Sequence, residues 1–280
     1  VATPTYLLDP RCRPSPPPRP PTASASLPTA TWTSVPVRRP SARSGPGPTA
    51  AATDPGSSIG NAVGDLVFEI DELCGAWSTL TEMRFQVLYD DGTEIRFGTS
   101  ISAWEAKDGL TYRFFVKRRS NYEEPQDVEG EATLEGPDQG GLATFGGSDP
   151  RTLALPPGTL FPTRHSLLLA EAGAAGQGGF LATVFDGTEE ASLYEVNALV
   201  AGQVPEGVPP TLASPLIEPL PSWRIVLAYF EIDEQSGVAQ HEATLRLFDN
   251  GVVDDQLFDF GEFALRARLV ELTERPRTAC

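Results

Sequence analysis

From Gly64 onward the apolar residues of this chain recur with a period of two. In "EATLRLF", Ala243, Leu245 and Leu247 share one face, while Thr244 and Arg246 share the other. Further on, Leu257, Asp259 and Gly261 alternate with Phe258, Phe260 and Glu262. One greasy and one wet face is the signature of an antiparallel sheet with a single core side. Asp91-Gly92, Asp108-Gly109 and Asn250-Gly251 interrupt the alternation, and each predicts a hairpin with a type I′ turn. One helix is expected in "FPTRHSLLLAEAGAAG", capped by Thr163 and ended by Gly173 or Gly176. The Pro-rich residues 204–222 read as a long extended connection. Residues 55–280 therefore form a single, mainly β domain, with the helix covering a sheet edge or plugging an end.

Residues 1–54 break the pattern. They are Pro, Ala, Ser, Thr and Arg with little to bury, and predict a disordered or polyproline-like N-terminal tail. The composition also matches GC-rich DNA read in a wrong frame, which translating the parent DNA in its other frames tests. No apolar h-region of a signal peptide is visible in the first 60 residues.

Charge narrows the partners. The chain carries −17, and the tail holds six Arg against only Asp9 and Asp54, so the β domain is more acidic still. Such a body repels nucleic acid and anionic headgroups, and its charge keeps a β-rich protein monomeric and soluble. No apolar run reaches the roughly 18–20 residues of a membrane helix. The outward band and regular hairpins of an outer-membrane barrel are not visible either.

Candidate chemistry is thin. His165 stands at the start of the helix beside Ser166, but adjacent helical residues point apart, so no triad follows. His241 opens a strand. Acids occur in pairs at Asp90-Asp91, Glu123-Glu124, Glu189-Glu190 and Asp254-Asp255, where turn preference explains them more simply than paired-carboxylate catalysis. No zinc spacing, EF-hand loop, P-loop or dinucleotide fingerprint is present, so no cofactor is expected. Trp77, Trp104, Phe114 and Phe115 fall on strand patterns and read as core. Of the three cysteines, Cys12 lies in the tail, leaving Cys74 and Cys280 as either one bridge or two free thiols.

Four stretches together resemble one family: "GDLVFEIDELCGAW" (64–77), "ISAWEAKDGLTYRF" (101–114), "LPPGTLFPTRHSLLLAEA…FLATVFDG" (155–187) and "LRLFDNGVVDDQLFDFGEFALRARLVEL…C" (245–280). They are similar, in order and spacing, to the alphaproteobacterial periplasmic cell-envelope integrity proteins called EipB, formerly a domain of unknown function. The resemblance implies an antiparallel, spiral-like broken β-barrel with one short helix. It also implies a periplasmic location, a role in envelope integrity, and a disulfide joining Cys74 to Cys280. Such a bond would close a loop of about 200 residues, stabilising by up to roughly 5 kcal/mol in the chain-entropy picture. Family members open on a signal peptide and then an aromatic-bearing strand near "HRAVY", and residues 1–54 display neither.

The leading expectation is thus a non-enzymatic periplasmic scaffold acting through a protein partner or an envelope ligand. The alternative is an envelope glycan hydrolase using paired carboxylates.

Overall fold

The computed structural model describes residues 28–36, 58–147, 150–188, 192–232, 237–261 and 263–275. Its strands are β1 (Pro28–Pro36), β2 (Ile59–Glu72), β3 (Ala76–Tyr89), β4 (Glu94–Ala106), β5 (Thr111–Ser120), β6 (Gln126–Leu134), β7 (Gly141–Gly146), β8 (Arg151–Leu155) and β9 (Thr159–Leu160). Helix α1 (Pro162–Ala174) follows, then β10 (Gly179–Phe185), β11 (Leu193–Gln203), β12 (Ser222–Glu231), β13 (His241–Phe248), β14 (Val253–Asp259) and β15 (Ala264–Glu274). They form one sheet in the order β8-β7-β6-β5-β4-β3-β2-β1-β15-β14-β13-β12-β11-β10-β9, antiparallel throughout except between β9 and β10. The two outermost strands, β8 and β9, do not pair with each other, so the barrel is broken, as expected.

Side chains rather than backbone bonds close it. Tyr112, Phe114 and Val116 of β5 and Ala143 and Phe145 of β7 pack against Phe185 and Leu193 from the β10–β11 hairpin. The Tyr112 hydroxyl donates to the Asp186 carbonyl at 3.0 Å, and Arg118 donates to the Thr188 carbonyl. On strand alternation, Phe185 and Leu193 belong to the opposite face from Val184 and Tyr194. Those two pack with Leu169 of α1. The two ends of the sheet therefore meet through side chains, with no ladder between β8 and β9.

All three Asx-Gly sites are hairpins, but not of the expected type. Only Gly92, Gly109 and Gly251 have positive φ, at 85°, 73° and 83°. A type I′ turn needs the preceding residue there too. Instead Asp91, Asp108 and Asn250 each accept, through Oδ1, the N–H two residues on. That local bond favours a type I turn closed by a left-handed glycine.

The N-terminal expectation fails over Pro28–Pro36, which is strand β1, hydrogen-bonded to both β2 and β15. Its prolines stand at the two ends, where a missing N–H is tolerated. The register sets Trp32 opposite Leu66 and Leu269, so pairing on both sides outweighs the tail-like composition. The remainder of residues 1–54 lies outside the described residues.

Residues 204–221 do form a connection without strand, yet it belongs to the core. Ile217 is fully buried against Phe248, Val252 and Leu269. The Arg246 guanidinium donates to the Val208 and Pro209 carbonyls at 3.0 and 2.8 Å. Asp254, itself buried, takes the Thr211 N–H at 2.7 Å.

Candidate functional site

The helix packs on one face of the sheet, against β10, β11 and β12. Its N-cap is Phe161, not Thr163, because Pro162 occupies the first helical position, where its missing N–H costs nothing. Phe161 has no side-chain acceptor, so the cap comes from another strand. Glu105, at the end of β4 and only 2 % exposed, accepts from the Thr163 and Arg164 N–H groups at 2.7 Å each. A carboxylate at a helix N-terminus satisfies two otherwise unpaired donors and complements the dipole. Burial still pushes the Glu105 carboxyl above the usual range. At the other end Ala175 caps, Gly176 is left-handed (φ 65°), and Gln177 N–H returns to the Ala172 carbonyl at 2.9 Å. That is a Schellman stop, at one of the two glycines expected.

Beside this junction lies a cavity of about 550 Å³, walled by Trp77, Lys107, Leu110, Phe161, Leu167 and Leu168 among others. Lys107 lies 4.9 Å from the Trp77 ring centre and pairs with Glu72 at 2.7 Å. Trp77 is therefore cavity wall rather than packed core. Trp104 and Phe115 also differ from expectation, for Arg113 covers one ring at 5.2 Å and Lys117 the other at 5.0 Å. Neighbours on a strand face opposite ways, so Phe114 and Phe115 cannot both be core. Phe114 is the buried one.

Cys74 sits exposed in the turn between β2 and β3, while Cys280 and Cys12 lie outside the described residues. The last described residue, Arg275, forks onto Asp71 at 2.6 and 2.8 Å and reaches Glu69 at 2.8 Å. Arg275 is thereby held to β2, just before the turn that bears Cys74.

The hydrolase alternative finds no support in the placement of its acids. Asp90-Asp91 lies between β3 and β4, Glu123-Glu124 between β5 and β6, and Asp254-Asp255 on β14. Asp254 is buried in the loop contact described above, and Asp255 pairs with Arg266 at 2.6 Å. Glu189-Glu190 lies outside the described residues. His165 is 5 % exposed, edge-on to Phe180, and burial lowers its pKa to about 4. Ser166 turns its hydroxyl back to the Pro162 carbonyl. His241 stacks on Tyr229 at 4.2 Å. Among the described residues no group of three or more His, Cys, Asp or Glu could hold a metal ion, and no helix is long and apolar enough to cross a membrane.

Two further features were missed in the sequence. Glu105 shares the inward face of β4 with Ile101 and Ala103, so a carboxylate in a core position was the available signal. A second, larger cavity of about 970 Å³ runs across β2 to β5 and gave no motif.

A broken barrel of mainly antiparallel strands, with one helix capped from across the sheet, defines the structural class. The sequence model of the EipB-like family matches residues 49–276, and the chain belongs to that family. It is 28% identical over 236 residues to the cell envelope integrity protein EipB of Brucella abortus (strain 2308), covering 81% of this chain and 82% of that protein. It is also similar to the crystal structure of a beta-barrel-like protein of domain of unknown function DUF1849 from Brucella abortus. The TM-score there is 0.77, at 25% identity, with 89% of this chain and 98% of the other covered.

Proposed function

We propose that this chain maintains the integrity of the cell envelope from the periplasm, as a non-enzymatic β scaffold that binds a protein or envelope ligand. The observation behind the reading is family membership together with similarity, over four-fifths of both chains, to a protein named for cell envelope integrity. A disulfide between Cys74 and Cys280 latches the scaffold in this reading. In its favour, Cys74 is exposed in the β2–β3 turn, and Arg275, just after β15, reaches across to Asp71 near the end of β2. Such a bond is stable in an oxidising compartment, in keeping with a periplasmic location.

The test is deletion of the gene in its own organism, followed by exposure to detergent and to cell-wall antibiotics. Heightened sensitivity, reversed by the intact gene and only partly by Cys74→Ser, is the expected result. Wild-type resistance in the deletion strain would refute the envelope role. Fractionation finding the protein in the cytoplasm would refute its location.

A further inference from the structure

The three leucines of α1 have different surroundings. Leu169 is buried in the core against β10, β11 and β12. Leu167 and Leu168 stay half-buried on another side of the helix. They follow Arg164 by three and four residues, so the three share that side. The N-cap fixes what it meets. Glu105, which grips the Thr163 and Arg164 N–H groups, pairs across the β3–β4 ladder with Trp77. Directly paired residues leave the same face of a sheet, so Trp77 projects on the face that meets the start of the helix. Between Trp77 and the two leucines lies the cavity of about 550 Å³.

Its lining says what it takes. On the buried floor Leu134 and Phe161 are apolar, and the two polar side chains there are already engaged. The Glu105 carboxylate holds both N–H groups of the cap, and the Thr159 hydroxyl donates to the Pro156 carbonyl at 2.7 Å. Such a floor is matched by apolar atoms, since a polar group placed on it would go unpaired. Trp77, Leu110, Leu167 and Leu168, all half-buried, carry the apolar surface outward as walls. The rim is polar and leans acidic. Lys107 is paired with Glu72 at 2.7 Å and Arg164 with Glu171 at 3.0 Å, while Asp108 and Asp138 stand exposed beside them. On a chain of net charge −17, two matched cations and two further carboxylates disfavour an anionic end. The volume lies within the roughly 300–1,000 Å³ of small-molecule sites, which join an apolar body to a few orienting polar groups.

We propose that this cavity takes the alkyl chain of an amphiphile with an uncharged polar end, the chain between Trp77 and the Leu167–Leu168 side of α1, the polar end at the rim by Asp108. The inference rests on the envelope-ligand reading above and names the class of ligand.

Calorimetric titration of the full chain, below micelle-forming concentrations, tests it with three probes. Octyl glucoside supplies a chain with a neutral head, octanoate a similar chain with a carboxylate, and glucose the head alone. Saturable binding of octyl glucoside is expected, about tenfold or more tighter than octanoate, with none from glucose. Trp77 reports the place, because among the described residues it is the one tryptophan that lines the cavity. Fluorescence emission should shift to the blue on binding in the parent and not in Trp77→Phe. Leu168→Glu puts a charge in the wall and Leu168→Trp fills the space without one, and each should lose about tenfold or more in affinity. Ser166→Glu, on an exposed side of the same helix, should bind as the parent does and controls for a weakened helix. Absence of octyl glucoside binding, octanoate binding equally well, binding of glucose, unchanged affinity in both Leu168 variants, or a blue shift that survives in Trp77→Phe would overturn the proposal. No binding together with a sensitive deletion strain removes the cavity ligand and leaves the envelope role standing. Binding together with wild-type resistance in the deletion strain does the reverse.

Discussion

Two buried ionisable side chains set the behaviour of the molecule at the smallest scale. Glu105 neutralises the start of α1 from a strand 58 residues away in sequence. Replacing it with Ala strands two buried N–H donors, each worth on the order of 1–3 kcal/mol. Glu105→Ala should therefore cost about 3 kcal/mol in urea unfolding, with amide exchange accelerated first at Thr163 and Arg164. His165 acts through pH. Its folded pKa of about 4 lies below the ordinary 6.5, so between those values the unfolded chain binds more protons. Stability from this residue is present above pH 6.5 and is lost as pH falls toward 4, by roughly 3 kcal/mol in all. The raised carboxyls of Glu105 and Asp254 slope the other way just above their ordinary values, since the folded state holds their protons more tightly. The residue is isolated by comparison: His165→Leu should flatten the fall in melting temperature between pH 6.5 and 4.5. A parallel fall in variant and parent would refute this account.

Single elements show what local pattern can and cannot specify. Hairpins at Asp91-Gly92, Asp108-Gly109 and Asn250-Gly251 were legible because the left-handed glycine is a local requirement. Helix α1 was legible from its leucines, its proline and its terminal glycine, but not the identity of its cap, because Glu105 arrives from another strand. Strand β1 was illegible for the same reason: its order comes from β2 and β15, not from its own Pro-rich composition. The seam residue Gly187 separates local from long-range demand. Its φ is 70°, and a Cβ would lie 2.7 Å from the Phe114 ring. Gly109 has a like φ of 73° and open space around it. Both Ala variants incur the backbone strain, of order 1 kcal/mol, but only Gly187→Ala must also displace a buried ring. Its unfolding free energy should fall by about 1–3 kcal/mol more than that of Gly109→Ala. Equal losses would mean that the hairpin tip does not press on β5.

At the scale of the whole molecule, the sheet has two ends, β8 and β9, and among the described residues no ladder joins them. A closed barrel ends its edges by hydrogen bonding. Here closure rests on the Tyr112–Phe185 contacts and the Glu105 cap, between residues far apart in sequence. Alternation predicted strands and faces, but the meeting of the two sheet ends depends on the accumulated twist, which no short window contains. The proposed Cys74–Cys280 bond would be the covalent counterpart of the Arg275–Asp71 pair, which bridges β15 and β2 across β1. It limits the unfolded chain more than it adds to the folded one, so its loss should raise the unfolding rate less than it lowers the equilibrium midpoint. Cys74→Ser is expected to reduce unfolding free energy by about 2–5 kcal/mol, the same as dithiothreitol does to the parent, and the two treatments together should cost no more than either alone. Additive losses would mean that reduction breaks some other bridge. No loss from either would mean that the non-covalent contacts hold the broken barrel by themselves.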